Sequence, residues 1–577
     1  MLVYGDRRRT QRPRTILRAL TASLRAAEAA PHGLARHDLL TSAFVEAAGL
    51  AQGLADAQFE AKGFDERSPA QDTAMALLLA LARKLAASWA SGFAAAGPPV
   101  APELMALALM GLPETVSVRT PEGYAFYALY PEAYLKAAAS HPWRTPPLVI
   151  GLRSIGLGLA ALVGAVTNAQ TIVSLRPSGD AFRRELRISE SLRDALAAHD
   201  GPFAIVDEGP GLSGSSFGAV ADLLEDLGVV AERIVFLPGH AGDLGPQASD
   251  RHRERWARAV RPTASFADLT ADVPLEDWFT DLTGPISAVE DLSGGAWRGV
   301  LPSQPWPPVH AGQERLKFRL HTASGVWLAK FAGLGDIGEQ KLARAQALHK
   351  AGFTPEPLAL RRGFLLERWE PGAPGALGDR QAFVDHLARY LAFRAASFPA
   401  DAEEGADLSA LVEMARVNVE ELLGGQAGQA IAARLAAHDL TQVQARAVHV
   451  DGRLHAWEWL RTPDGLLLKT DAVDHSEAHD LVGCQDIAWD VAGAVTEFDL
   501  DAEETTRLSE RIEAVAGRRL DPSLLQIMQV CYPAFQAGLW RFAEDAAEGE
   551  ESARIATHAA RYAGRLADLA ASVESPD

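Results

Sequence analysis

Cysteine is scarce: the 577-residue chain has two, Cys484 and Cys531. Two thiols cannot build a disulfide framework, and these two lack metal-ligand spacing, so a reducing cytoplasm is the expected compartment. Cations are outnumbered as well, with 55 lysines and arginines against 75 aspartates and glutamates, a net charge of −20. This balance argues against a nucleic-acid or anionic-membrane partner, because both select for clustered positive charge. The one basic cluster, DRRRTQRPR, lies near the N-terminus with no apolar run behind it, unlike a signal peptide. Long hydrophobic runs are absent too. The longest candidate, LVIGLRSIGLGLAALVGAV (148–166), is interrupted by Arg153 and four glycines and divides into a strand, a loop and a helix start.

What is present reads as a multidomain globular protein, 48% hydrophobic and 23% charged. Residues 1–114 are Ala- and Leu-rich with helical periodicity. From 115 to 282, short β-type runs such as PPLVIGL, QTIVSL, FAIVDE and RIVFLPG alternate with helical ones, the pattern of an α/β unit with a largely parallel sheet. Residues 283–309 are rich in Gly, Pro and Trp and read as a linker. Residues 310–577 begin with a predicted hairpin in ERLKFRLHTASGVWLAKF, a helix near 338–351 and a second β pair near 356–370, followed by a mainly helical half.

The first chemical signal is FAIVDEGPGLSGSSFGAV. In a parallel sheet, ligands bind beyond the carboxyl ends of strands, which is where Asp207 and Glu208 fall. The Gly/Ser loop that follows offers clustered backbone N–H groups, and the next helix presents its positive end, a combination that holds phosphate. Carboxylates beside such a cradle suit the hydroxyls of an attached sugar, gripped directly or through Mg²⁺. This stretch resembles the ribose-phosphate signature of type I phosphoribosyltransferases. The resemblance implies phosphoribosyl pyrophosphate as substrate, with Asp207 and Glu208 on the ribose and Ser213, Gly214, Ser215 and Ser216 on the 5′-phosphate. It also implies a pyrophosphate loop at Arg153 and Ser154, and a mobile cover in RPSGDAFRRELR that brings Arg183 or Arg184 to the reaction. Pro210 and the Asp-Glu order depart from the pattern. Without the resemblance, the same residues are a strand ending in a polar turn.

The second signal is AVHVDGRLHAWEWLRTPDGLLLKTDAVDHSEAHDLVGCQDIAWDVAGA, 447–494. His449 and Asp451 precede a short hairpin turning at TPDG, and the hairpin delivers Asp471. Two carboxylates flanking one hairpin converge in space, as a hydroxyl base and a nucleotide-metal ligand would. The stretch resembles the aminoglycoside-phosphotransferase and choline-kinase group, which shares the protein-kinase fold. The resemblance implies ATP and Mg²⁺, with His449, Asp451 and Asp471 catalytic, Asp486 and Asp490 in the D-x-A-x-D-x-A motif, Lys330 on the ATP phosphates and Glu339 as its helix partner. FLLERWEPGAPG (364–375) would join the lobes. The family's metal-binding Asn is replaced by Ala456. Glu458, two residues on, reaches the same side if WEWL is extended, and would then serve as the second metal ligand beside Asp471. The D-H-x-x-x-H-D run with His475 and His479 offers a metal site on one helix face as an alternative.

The fold class expected is therefore α/β and α+β multidomain: a helical region, a parallel-sheet phosphoribosyltransferase-like domain and a two-lobed kinase-like domain. The expected function is bifunctional: phosphoribosyl transfer and ATP-dependent phosphorylation of a small-molecule hydroxyl. The alternative is a sensor that binds phosphoribosyl pyrophosphate and nucleotide without turnover.

Overall fold

The computed structural model describes residues 8–211, 213–301, 305–477 and 481–574. Its α/β centre is a four-stranded parallel sheet in the spatial order Thr171–Leu175, Leu148–Leu152, Phe203–Val206, Ile234–Leu237. The two central strands, LVIGL and FAIV, are buried throughout, which is why they read as continuous apolar runs rather than alternating ones. Successive side chains still point to opposite faces. Leu148, Ile150, Phe203 and Ile205 meet the helix Ser215–Asp226. Val149, Ala204, Val206 and Leu237 meet the glycine-rich helix Gly156–Thr167 on the other side.

That second face is where the domain reading changes. The N-terminal helices Pro13–Ala29, Leu34–Lys62 and Pro69–Ala90 pack against one another and over Gly156–Thr167. Their apolar residues share one core with the parallel sheet and with Phe318, Phe331 and Phe364 further along the chain. Residues 8–114 are thus continuous with the unit that follows, and strand Arg8–Gln11 pairs antiparallel with Val116–Arg119 across the expected boundary. Pro69–Ala90 starts on a Ser68 cap that accepts from the Gln71 N–H, with Pro69 at the first helical position. It is the one helix among the described residues long and apolar enough to cross a membrane, and half of it is buried inside the protein.

In place of the expected linker, Ile286–Asp291 forms an edge strand. It pairs antiparallel with Lys317–Thr322 and completes a five-stranded sheet ordered Pro357–Arg361, Phe364–Arg368, Gly325–Phe331, Lys317–Thr322, Ile286–Asp291. An edge strand is held by backbone pairing on one side and buries little, so its sequence carries almost no periodic signal. Helix Asp336–Lys350 packs on this sheet. The remainder is helical, from Arg380–Ser397 to Gly549–Glu574, around a second core. It is interrupted by the hairpin Trp459–Arg461/Leu467–Lys469 and by the pair Ala447–Val448/Gln485–Asp486.

The α/β unit and the five-stranded sheet are tied by a buried ion network. Arg362, at the turn between Pro357–Arg361 and Phe364–Arg368, places its fully buried guanidinium 3.0 Å from Glu132, and the same Glu132 oxygen lies 2.5 Å from His37 Nε2. Trp278 and Tyr130 stack around the cation, 5.1 and 4.9 Å from their ring centres. Burial alone would raise the Glu132 carboxyl, but Arg362 and His37 outweigh it and hold it well below the usual carboxylate range. A group depressed in this way lends stability above its unfolded pKa of about 4.3 and loses it only as the pH falls toward the folded value. Glu132→Ala strands the buried Arg362 charge and should cost about 3–5 kcal/mol near neutral pH. The expected readout is a lower urea midpoint, largely restored by pairing the substitution with Arg362→Met; an unchanged midpoint in the single variant would show the network to be dispensable.

Candidate functional site

Two hollows collect the sequence-predicted residues. The first, about 200 Å³, lies at the carboxyl ends of the parallel strands. Asp207, Glu208, Ser154 and Ser216 line it, with Arg119, Thr120, Glu122, Arg176 and Arg184. Burial pushes the Asp207 carboxyl up to about 7, opposed by the Glu208 backbone N–H and by Arg176. Glu208 accepts from the Gly123 N–H at 2.7 Å.

Three expected ligands are otherwise engaged. Arg153 also lines the hollow, but its guanidinium is fully buried and paired with Asp65 and, at 2.9 Å, with Asp56. Ser213 and Ser215 turn their hydroxyls toward the Ala181 carbonyl, at 3.3 and 2.9 Å, at the tip of the hairpin Ser178–Asp180/Arg183–Glu185. The expected cover thus rests on the serine loop, with Arg184 facing the hollow while Arg183 is exposed. Gly214 takes the left-handed conformation (φ 60°) that starts the helix at Ser215. Arg176, which the sequence reading passed over, caps the carboxyl end of Thr171–Leu175 and is held by Asp56 at 2.9 Å. Its place just past a strand was a usable signal. Asp56 and Asp65 come from the helical region and had none.

The second hollow, about 400 Å³, lies between the five-stranded sheet and the helical half. Lys330, on Gly325–Phe331, is buried in its wall and pairs with Asp471 and, at 2.5 Å, with Asp474. Burial would lower its pKa, but the two carboxylates reverse the direction and raise it. Asp471 follows the hairpin strand Leu467–Lys469, as the spacing predicts, and has a positive φ of 55°. Glu339 is not the lysine's partner. Helix Asp336–Lys350 buries Ile337, Gly338, Lys341, Arg344 and Leu348, which leaves Glu339 exposed. Its inward charges are cations: Lys341 bonds Asp474 at 2.8 Å and Arg344 bonds Glu477 at 2.7 Å.

Glu458 does reach Asp471, by a different route from the expected one. WEWL is not extended; Ala456–Glu458 is a 3₁₀ turn, and the strand begins at Trp459. Glu458 lies 2.8 Å from Lys469 and 3.0 Å from Arg453, and its carboxylate, Asp471 and His475 fall within 4.8 Å of one another. Burial drives His475 down to about 3, so its imidazole is neutral at ordinary pH. The two carboxylates are the donor type that a hard divalent cation such as Mg²⁺ takes; the imidazole is not.

Asp451 departs from its expected role. It is buried to 1% exposure, accepts from the Tyr390 hydroxyl and lies 3.5 Å from Lys469, behind the wall of the hollow rather than on it. Asp490 accepts from the Asp451 and Gly452 N–H groups, both at 2.8 Å, and so fixes the turn that carries Asp451. Asp486 accepts from the Arg446 and Ala488 N–H groups. The His449 side chain is also away from the hollow, 3.3 Å from Cys484 Sγ. His479 lies outside the described residues.

One short helix stands between the hollows. Glu122–Phe126 presents Glu122 and the Gly123 N–H to the first, while Phe126 lies under Arg315, which lines the second.

No protein-family model matches the sequence, and no curated protein does. Solved structures of phosphotransferases match about half of the chain. Choline kinase LicA from Streptococcus pneumoniae is 16% identical with a TM-score of 0.32, covering 50% of this chain and 97% of its own. Macrolide 2′-phosphotransferase MphH from Brachybacterium faecium is 15% identical with a TM-score of 0.30, covering 49% and 97%. Spectinomycin phosphotransferase APH(9)-Ia is 10% identical with a TM-score of 0.35, covering 52% and 97%. All three TM-scores lie below 0.5. The similarity transfers no substrate to this chain, whose chemistry rests on its own residues.

The raised Asp207 gives a pH signature. The folded protein holds this proton more tightly than the unfolded chain, so the stability it lends is complete below about pH 4 and is lost as pH rises toward about 7. Asp207→Asn should raise Tm at pH 8 and leave it unchanged at pH 4 in thermal melts. A gain of equal size at both values would mean that the carboxyl is not buried in its neutral form.

Proposed function

We propose that the C-terminal half is an ATP-dependent phosphotransferase acting on a small-molecule hydroxyl. The observation that carries this reading is the composition of the larger hollow. Around the Lys330–Asp471 pair stand three indoles, Trp297, Trp369 and Trp457, and the cations Arg315, Lys317, Arg319, Arg368 and Arg453. The acids Glu314, Glu367, Glu370 and Glu458 share this lining, so its charge is mixed; aromatic faces beside cations in about 400 Å³ suit a phosphorylated aromatic ligand of nucleotide size. Lys330 would hold phosphate oxygens, and Asp471 with Glu458 would hold Mg²⁺, which neutralises phosphate charge during transfer. The backbone from Trp369 to Pro374 would border the base. The compartment that suits this reading is the cytoplasm, and both cysteines are buried thiols outside any disulfide.

For the α/β half we propose binding of phosphoribosyl pyrophosphate, with Asp207 and Glu208 on the ribose hydroxyls and Ser154 and Ser216 on phosphate. The hollow's position at the sheet's carboxyl edge supports this. On this reading the chain joins two donor-using transferases. A second reading, a sensor that binds both ligands without turnover, is favoured by the enclosure of Asp451, which leaves no carboxylate facing an acceptor hydroxyl at that position.

The kinase reading is tested with Asp471→Asn, which keeps the Lys330–Asp474 pair. Saturation to a hundred times Kd stabilises a protein by about 2.7 kcal/mol. Wild type should show an ATP- and Mg²⁺-dependent rise in Tm, and Asp471→Asn should lose it; a full shift in the variant would overturn the assignment. Turnover separates the two readings. An enzyme releases ADP in the presence of a hydroxylated acceptor, whereas a sensor binds ATP and releases none.

The phosphoribosyl reading is tested at Ser216, whose residue lines the hollow, rather than at Ser215. A charge about 4 Å from a phosphate costs several kcal/mol at an intermediate dielectric. Ser216→Asp should therefore weaken phosphoribosyl pyrophosphate binding at least tenfold by calorimetry. Equal affinity in both proteins would remove the phosphate site from this loop.

A further inference from the structure

The Glu404, His449 and Cys484 side chains form a cluster that the kinase reading does not use. Each offers one ligand atom (a carboxylate oxygen, an imidazole nitrogen and a thiol sulfur), and the three atoms lie within 4.8 Å of one another. Cys484 Sγ is 3.3 Å from His449 Nδ1, and Glu404 Oε2 is 3.9 Å from His449 Nε2. Zinc bonds of about 2.3 Å to sulfur and about 2.0–2.1 Å to nitrogen or oxygen place tetrahedral ligand atoms roughly 3.3–3.6 Å apart. The two contacts use different ring nitrogens, and a rotation of the imidazole brings a single nitrogen to both the sulfur and the carboxylate, whose ligand atoms already lie within 4.8 Å.

The backbone beneath these residues is tightly fixed. The Cys484 N–H donates to the Glu404 carbonyl at 2.9 Å, and Gly405 and Gly483 bridge beside it. A Cβ on Gly405 would fall 1.9 Å from the Cys484 carbonyl oxygen, so only glycine permits this approach. His449 follows strand Ala447–Val448, which pairs with Gln485–Asp486 next to Cys484, and its carbonyl accepts from Arg394 at 2.7 Å. All three ligand atoms thus sit on segments bonded to one another. Glu477 Oε1, itself anchored by Arg344, lies 3.2 Å from His449 Nδ1, the nitrogen that also faces Cys484, and would orient the ring only if the metal takes Nε2.

We infer that Glu404, His449 and Cys484 form a zinc-class metal site, separate from the Mg²⁺-type carboxylates of the cleft. Mixed sulfur, nitrogen and oxygen donors select a borderline-soft divalent ion over Mg²⁺, which prefers oxygen alone. On binding, the Cys484 thiol gives its proton to solvent and the sulfur lone pair forms the metal bond, with no change of oxidation state. Three protein ligands leave a fourth position for water or another donor.

The test uses the full chain after chelator treatment, titrated with Co²⁺ and then Zn²⁺. The expected result is one near-ultraviolet sulfur-to-cobalt charge-transfer band, bleached by Zn²⁺. Cys484→Ser should abolish the band. His449→Ala should weaken Zn²⁺ binding by at least about a hundredfold, the upper end of the losses seen when even an orienting partner is removed. Glu404→Gln, at a half-exposed residue, should weaken it about tenfold without unfolding the protein, which circular dichroism checks. Glu458→Gln, in the cleft group, should leave the band intact. Absence of the band at saturating Co²⁺, or its persistence in Cys484→Ser, overturns the assignment.

Discussion

One buried cation holds the two halves of this protein in register. Arg362 comes from a β-turn of the five-stranded sheet, Glu132 from a helix beside the parallel sheet, and His37 from an N-terminal helix. A guanidinium without water around it is tolerated only where carboxylates and aromatic faces surround it, and the three segments must therefore meet in one arrangement. The aromatic residues about it, Tyr130, Trp278, Phe266, Phe331 and Phe364, pack edge to face into the shared core. Hydrophobic burial supplies most of the stability, and the ion network specifies which surfaces are joined. The consequence is that the α/β unit, the N-terminal helices and the five-stranded sheet behave as one body rather than as beads on a string.

Ion pairs also define both candidate sites, and they explain why several predicted roles moved. At the parallel sheet, Asp56 and Asp65 engage the Arg153 guanidinium and Asp56 also holds Arg176, while both arginines line the hollow with Arg184. In the cleft, Lys330 finds its partners after the hairpin, and the helix that resemblance expects to supply an acid supplies Lys341 and Arg344 instead. The polarity of that helix face is therefore inverted, with the acids Asp474 and Glu477 on the loop.

Much of this was legible in the sequence. Continuous apolar runs identified the central strands, and the Thr462–Gly465 turn with its flanking apolar residues identified the hairpin that delivers Asp471. Residues placed at strand ends, such as Asp207 and Lys330, fall into hollows because a strand end has one geometry. Residues placed by helix register or loop conformation did not follow the reading. Glu339 needed its helical phase known to within about one residue, since 100° per residue separates an inward side chain from an exposed one. Ser213 and Ser215 needed the position of a hairpin some thirty residues upstream, and Arg153 needed two carboxylates from a region whose periodicity announced only packing. The edge strand Ile286–Asp291 was concealed by the Gly, Pro and Trp around it.

The short helix Glu122–Phe126 has a consequence for how the two halves communicate. It touches Glu208 at one end and Arg315 and Lys341 at the other. A ligand that takes Glu208 away from the Gly123 N–H removes one anchor of this five-residue element, whose Phe126 ring lies under the Arg315 guanidinium of the opposite hollow. If occupancy of one hollow changes affinity in the other by this route, thermodynamics requires the converse change to be of equal size. The partition between the two hollows is thus as thin as a single helical turn.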